Sequence, residues 1–136
     1  MSTLKTGTVQ NNTGTGAPLF KNNAGTEIGQ LARAWVNFDG SFGTSPFTEA
    51  NGGIRDSFNV TSITDNGSGD HTINFTNALP NSNFVCLVST AYDFNHEPRI
   101  GAAIAYTTSS VRVETGYSAF NNQDEQVNNV VVFGAS

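Results

Sequence analysis

The sequence predicts an all-β protein, an antiparallel β-sandwich of about seven or eight strands behind an extended N-terminal segment, and three observations lead there. First, 17 Asn, 16 Thr and 14 Gly account for 47 of the 136 residues. Asn and Gly are turn formers, Thr is a β-branched strand former, and all three are poor in helices. Second, apolar residues alternate with polar ones over short runs, and no segment carries them at helical spacing. Third, clusters of Gly, Asn, Asp and Ser punctuate those runs where hairpin turns belong.

Residues 1–33 form a polar lead-in. Thr6-Gly7-Thr8, Asn11-Asn12-Thr13-Gly14-Thr15-Gly16 and Asn22-Asn23-Ala24-Gly25-Thr26 give turn signals every few residues, with Pro18-Leu19-Phe20 and Ile28 as isolated apolar pegs. The segment reads equally as a flexible tail or as an extended attachment segment that orders against other subunits. From residue 34 to 136 strand signals are dense. Ala34, Val36 and Phe38 alternate with Trp35, Asn37 and Asp39. Asp39-Gly40 then opens a loop that runs to Gly52-Gly53.

Ile54 to Ile63 reads as one strand with Phe58 and Val60 in phase. Ile63 is out of phase with them, which places a bulge near Thr61-Ser62. Asp65-Asn66-Gly67-Ser68-Gly69-Asp70 is a turn, and His71, Ile73 and Phe75 share one face of the return strand, so residues 54–76 are expected to form a hairpin. Residues 84–92 are apolar enough for a strand covered on both faces. Strands at 102–107 and 111–115 follow, then a polar loop at 116–126 and a closing strand at 127–133. Runs 84–88 and 130–133 are apolar on both faces, more than a small two-layer domain covers, so a monomer is not expected.

Charge narrows the partners. Only 12% of residues are charged, against about 25% in a typical soluble domain. The net charge is -5, and the six basic residues (Lys5, Lys21, Arg33, Arg55, Arg99, Arg112) are scattered along the chain. Such a distribution argues against nucleic acid as the main partner and disfavours a polybasic membrane anchor. No apolar stretch approaches the roughly 20 residues of a membrane span, so no membrane insertion is expected, and Met1-Ser2-Thr3-Leu4-Lys5 does not read as a signal peptide. Cys86, the sole cysteine, allows no intrachain disulfide. It lies inside Phe84-Val85-Cys86-Leu87-Val88, where a structural, buried role is expected.

Ala34-Trp35-Val36-Asn37-Phe38-Asp39-Gly40, then Ile54-Arg55-Asp56-Ser57-Phe58-Asn59-Val60, then the run from Ser62 through Asp70 to Phe75, resembles distal segments of bacteriophage tail fibre proteins, especially those of cyanobacterial and marine phages. The resemblance continues through Ala78-Leu79-Pro80 and covers about half of the chain. It implies a homotrimeric, β-rich virion appendage, made in the host cytoplasm, that contacts other virion proteins and binds a host-surface glycan or protein without a cofactor. On that reading residues 1–33 attach to or line the trimer, and 34–136 form the fibre domain. Two departures stand out. Ser41 to Gly53, with Phe42, Phe47 and Glu49, is longer than the usual connection, and His71 stands where such sequences often place Tyr.

No catalytic or metal motif is expected. Asp65 to Asp70 has oxygen donors at alternate places but lacks the flanking helices and terminal Glu of a calcium loop. His71 and His96 stand alone, without the His-x-His pair that would hold iron. No Gly-x-Ser-x-Gly frame or paired carboxylates mark a hydrolase, so the chain is read as no enzyme. Asn-x-Ser/Thr at Asn11, Asn59, Asn66 and Asn74 follows from composition.

Contact chemistry concentrates in Tyr92, Asp93, Phe94, Asn95, His96, Glu97 and Arg99. That loop holds aromatics to stack on sugar C–H faces, acids and an amide to bind paired hydroxyls, and a guanidinium of the kind that anchors interfaces. The simpler arrangement, and the first expectation, turns Tyr92 and Phe94 inward and pairs Asp93 or Glu97 with Arg99. Tyr117 and Phe120 form a second candidate loop. Trp35 is expected to be structural, packing against a neighbouring subunit. The alternatives to a receptor-binding fibre subunit are a virion adaptor or decoration protein touching only virion partners, and a tail-associated polysaccharide depolymerase.

Overall fold

The computed structural model describes residues 20–93, 98–118 and 121–134. The chain divides after Leu31 into two units. In the first, β1 (Phe20–Lys21) and β2 (Glu27–Gly29) form a small hairpin. Its turn is closed by the Asn22 side chain, whose Oδ1 accepts from the amides of Ala24 and Thr26, and by Gly25 at a φ of 80°. Residues 20–31 are almost wholly exposed. Within the lead-in, the described residues 20–29 form this hairpin.

The second unit is all-β and antiparallel. Its strands are β3 (Ala34–Phe38), β4 (Ile54–Phe58), β5 (Val60–Gly67), β6 (Asp70–Phe75), β7 (Phe84–Ala91), β8 (Pro98–Tyr106), β9 (Ser110–Ser118), β10 (Asn121–Asn122) and β11 (Val127–Gly134). Eight of them follow one path, β4-β3-β11-β7-β8-β9-β6-β5, and β10 folds back onto β9. Among the described residues the ladder between β7 and β8 is Thr90↔Arg99 and Ala91↔Pro98, and β8 pairs with β9 from Ile100 through Tyr106. There the ribbon turns back on itself. Two four-stranded halves face each other as a sandwich, closed almost to a barrel because β4 and β5 are consecutive in the chain.

The alternation in β3 explains the core. Ala34, Val36 and Phe38 point in and join Val130 and Val132 of β11 and Phe84 of β7. Facing them are Ile63, Ile73, Phe75, Val111 and Val113 from β5, β6 and β9. Phe47, from the connection between β3 and β4, is also fully buried and exchanges both backbone hydrogen bonds with Ile63. The long insert thus supplies a core side chain and covers part of the free edge of β5.

Several expectations are corrected. Ile54 to Ile63 is two strands: Asn59, at a φ of 55°, turns the chain from one half of the sandwich to the other. Asn accepts this left-handed conformation more readily than other non-glycine residues. Its side chain fixes the corner, donating to Arg33 O and Asn77 O and accepting from the Asn77 amide. The hairpin is therefore β5–β6 rather than 54–76, while the bulge lies where it was expected, between Val60 and Ser62. Residues 98–99 and 116–118, expected in loops, belong to β8 and β9.

The expected double covering of β7 is half met. Phe84, Cys86 and Val88 face or adjoin the core, and burial pushes the Cys86 thiol up to about 11. Val85 (59% exposed) and Leu87 (56%) face outward and lie open. Register aligns Leu87 with Val131, Val131 with Trp35, and Trp35 with Phe58. One apolar row thus crosses four neighbouring strands on the outer face.

Candidate functional site

Strand directions bring the connections that start at Asp39, Gly67, Tyr92 and Ser118 to one end of the sandwich. A short connector, Gln123–Gln126, in the last of these connections, is plugged into this end by hydrogen bonds to the other three and to β9. Gly40 donates to Glu125 O at 2.9 Å, Gln123 donates to Thr115 O at 3.0 Å, and Gln126 donates to Tyr92 O at 3.1 Å. The Gly69 amide donates to Asp124 Oδ1 at 2.6 Å. From β11, buried Asn128 donates to Glu125 O at 2.6 Å and accepts from Thr90 Oγ1 at 2.8 Å. Gly40 has no room for a side chain: a Cβ there would lie 2.8 Å from both Asn128 Nδ2 and Glu125 O.

On this support stands an aromatic–cation cluster. The Arg99 guanidinium lies 5.3 Å from the Tyr92 ring centroid and 5.0 Å from that of Tyr117. Its Nε is 3.3 Å from Oε1 of Glu125, whose side chain is fully buried. Burial pushes the Glu125 carboxyl above its ordinary range, with the Arg99 charge opposing. Tyr92 (53% exposed) and Tyr117 (61%) hold one ring face toward Arg99 and remain open to solvent. An arginine held between aromatic faces is pre-organised and loses little further entropy when a ligand binds.

Among the expected site residues, the fold brings Tyr92, Arg99 and Tyr117 together from two loops that were read separately. Asp93 follows Tyr92 and is half-buried. Phe94, Asn95, His96, Glu97 and Phe120 lie outside the described residues. Tyr92 turns outward, against the first expectation, because its main chain is tied to Gln126 and its ring to Arg99. Glu125 was missed: it sits in a polar run, Asn-Asn-Gln-Asp-Glu-Gln, whose local pattern reads as exposed loop. The only sequence cue was an acid close to a new strand. Among the described residues no three His, Cys, Asp or Glu converge as a metal site.

A charged pair flanks this end. Arg112 makes a bidentate bond to Asp70, through Nε to Oδ1 at 2.7 Å and Nη2 to Oδ2. These bonds hold the Asp70 carboxyl below its ordinary range. They occupy the carboxylate considered for calcium, and Asp65 Oδ1 accepts from the Gly67 amide in a turn. No protein-family model, curated protein or solved structure matches this chain.

Proposed function

We propose that this protein is a receptor-recognition subunit of a bacteriophage tail fibre or tail tip, that it acts as a homotrimer in the virion, and that it binds a host-surface glycan or protein through the loop end of its sandwich. The observation that carries the reading is the Tyr92–Arg99–Tyr117 cluster, two exposed rings packed on a largely buried guanidinium and braced from behind by the buried connector. Exposed Tyr rings held on a rigid support are among the side chains that dominate recognition surfaces. The sequence resemblance supports the same role, and binding of this kind requires no cofactor.

The test is adhesion. Labelled protein should bind cells of at least one strain in a panel of cultured marine cyanobacteria. Tyr92→Ala and Tyr117→Ala should each weaken that binding about 30-fold, the equivalent of a hot spot of about 2 kcal/mol, with unchanged melting because both rings are exposed. Binding to no strain, or equal binding by the double variant, would sink the proposal. Release of reducing sugar from the cell surface would favour the depolymerase instead.

The apolar row Phe58–Trp35–Val131–Leu87 supports assembly, since an uncharged strip across four strands is normally covered by another surface. Light scattering coupled to size exclusion should give about three times the 14.4 kDa chain mass, and Leu87→Asp should return it to one chain without loss of fold. A wild-type protein of single-chain mass would contradict the trimer and favour an adaptor that assembles only on a virion partner.

A further inference from the structure

A second feature of the loop end is not used by the binding cluster. His71 on β6 is fully buried, with its ring 5.2 Å from Phe38 and 5.6 Å from Phe47, centroid to centroid. Nε2 reaches Gly40 O at 3.3 Å and is the nitrogen placed to donate. Nδ1 meets no hydrogen-bond partner among the described residues. Gly40 is in turn the residue whose amide holds Glu125 O. One imidazole thus touches the loop that clasps the connector, in surroundings that suit its neutral form.

We propose that the His71–Gly40–Glu125 contact is an acid-opened latch: protonation of His71 releases connector 123–126 from the loop at Gly40 and loosens the support beneath Arg99. Neutral His71 needs one acceptor, and Gly40 O provides it. The imidazolium needs a second acceptor at Nδ1 and solvation of its charge, which two phenyl edges do not offer. Opening at Gly40 would admit water to both. The inference concerns the fold and holds whether or not this end binds a receptor.

The charged groups around the latch are engaged elsewhere. Asp70, on the same strand, is bonded to Arg112 of β9. Asp65, opposite on β5, accepts the Gly67 amide, and Asp124 accepts the Gly69 amide. Glu125 turns its carboxylate to Arg99. Burial holds the His71 pKa below its ordinary 6.5, outweighing the acids at 124, 65 and 70 and the Gly40 carbonyl, all of which favour the imidazolium. The unfolded chain therefore takes up a proton below about pH 6.5 that the closed latch refuses, so closure is fully present above that pH and weakens as pH falls, by up to about tenfold per unit. Glu125 has the opposite sign, since its raised carboxyl takes up a proton within the fold; it must be separated from His71 in any test.

Amide hydrogen exchange, expressed as protection relative to the intrinsic rate at each pH, separates them. From pH 7.5 to pH 5.5 protection of the Gly40 amide should fall about tenfold, while amides of β11 hold. The fall should persist in Glu125→Gln and vanish in His71→Leu. An equal fall in His71→Leu, no fall in the wild type, or a uniform fall across the core would overturn the latch. Imidazole NMR of the unsubstituted protein reads the same event without a variant. His71 titrating near 6.5 with Gly40 still protected would also overturn it.

Discussion

Arg99→Ala is expected to destabilise the sandwich by about 3–5 kcal/mol, the usual consequence of removing one partner of a buried ion pair. Glu125 is fully buried and the Arg99 side chain is only 11% exposed. Truncation would leave a carboxylate in the interior with its neighbours already committed. The loss should shrink on acidification. Burial already raises the Glu125 carboxyl, and removing the opposing charge raises it further, so a proton relieves the variant as pH falls. Arg99→Ala with Glu125→Gln should recover most of the stability, because no charge remains to be stranded. Urea unfolding at pH 7 and pH 5 measures all of this. A single variant within about 1 kcal/mol of wild type would show that the pair is wet and only superficially placed.

Gly69→Ala should be comparably damaging for a different reason. Gly69 has a φ of 64°, and a Cβ there would meet only backbone: Thr115 O at 2.2 Å, Gln123 N at 2.5 Å and Gln123 O at 2.7 Å. None of these can swing aside. The strained dihedral alone is worth about 1–3 kcal/mol, and displacing the connector adds the loss of the Gly69–Asp124 bond. A total of about 4 kcal/mol corresponds to a melting temperature lowered by roughly 12 °C in a domain of this size. Gly67 is the control. It also has a positive φ, 131°, but a Cβ there would meet nothing within 4 Å, so Gly67→Ala should show the dihedral effect alone. Equal shifts for the two substitutions would refute the steric argument.

The contrast between these two sites and the strands shows what could be read in advance. Period-two runs such as Ala34-Val36-Phe38 and His71-Ile73-Phe75 carry their own inside and outside, and they emerged with the faces expected. The bulge between Val60 and Ser62 was visible because Ile63 changed phase. Asn59 was not recognised as a corner, because strand residues on both sides hide a single left-handed residue between them. Glu125 could not be found locally at all. Its surroundings are built by Gly40 and Arg99, which come from two distant stretches of chain, together with the nearby Asn128. The two candidate loops were each visible as aromatic clusters, but their meeting around Arg99 depends on β8 pairing with β9, a tertiary fact.

β11 lies between β3 and β7 in the middle of its half, yet its partner residues Trp35 and Val131 are roughly a hundred positions apart along the chain. During synthesis β3 and β4 emerge early and wait for the strand that joins them to β7. Until then the half-sandwich has an unfilled slot whose rims are the open edges of β3, with Trp35 and Val36, and β7, with Val85, Leu87 and Val88. Unpaired apolar strand edges of this kind are templates for pairing with another chain. The same topology ties completion of this half to one strand: β11 supplies the ladder to both rims, so neither β3 nor β7 has its inner edge paired until β11 is in place.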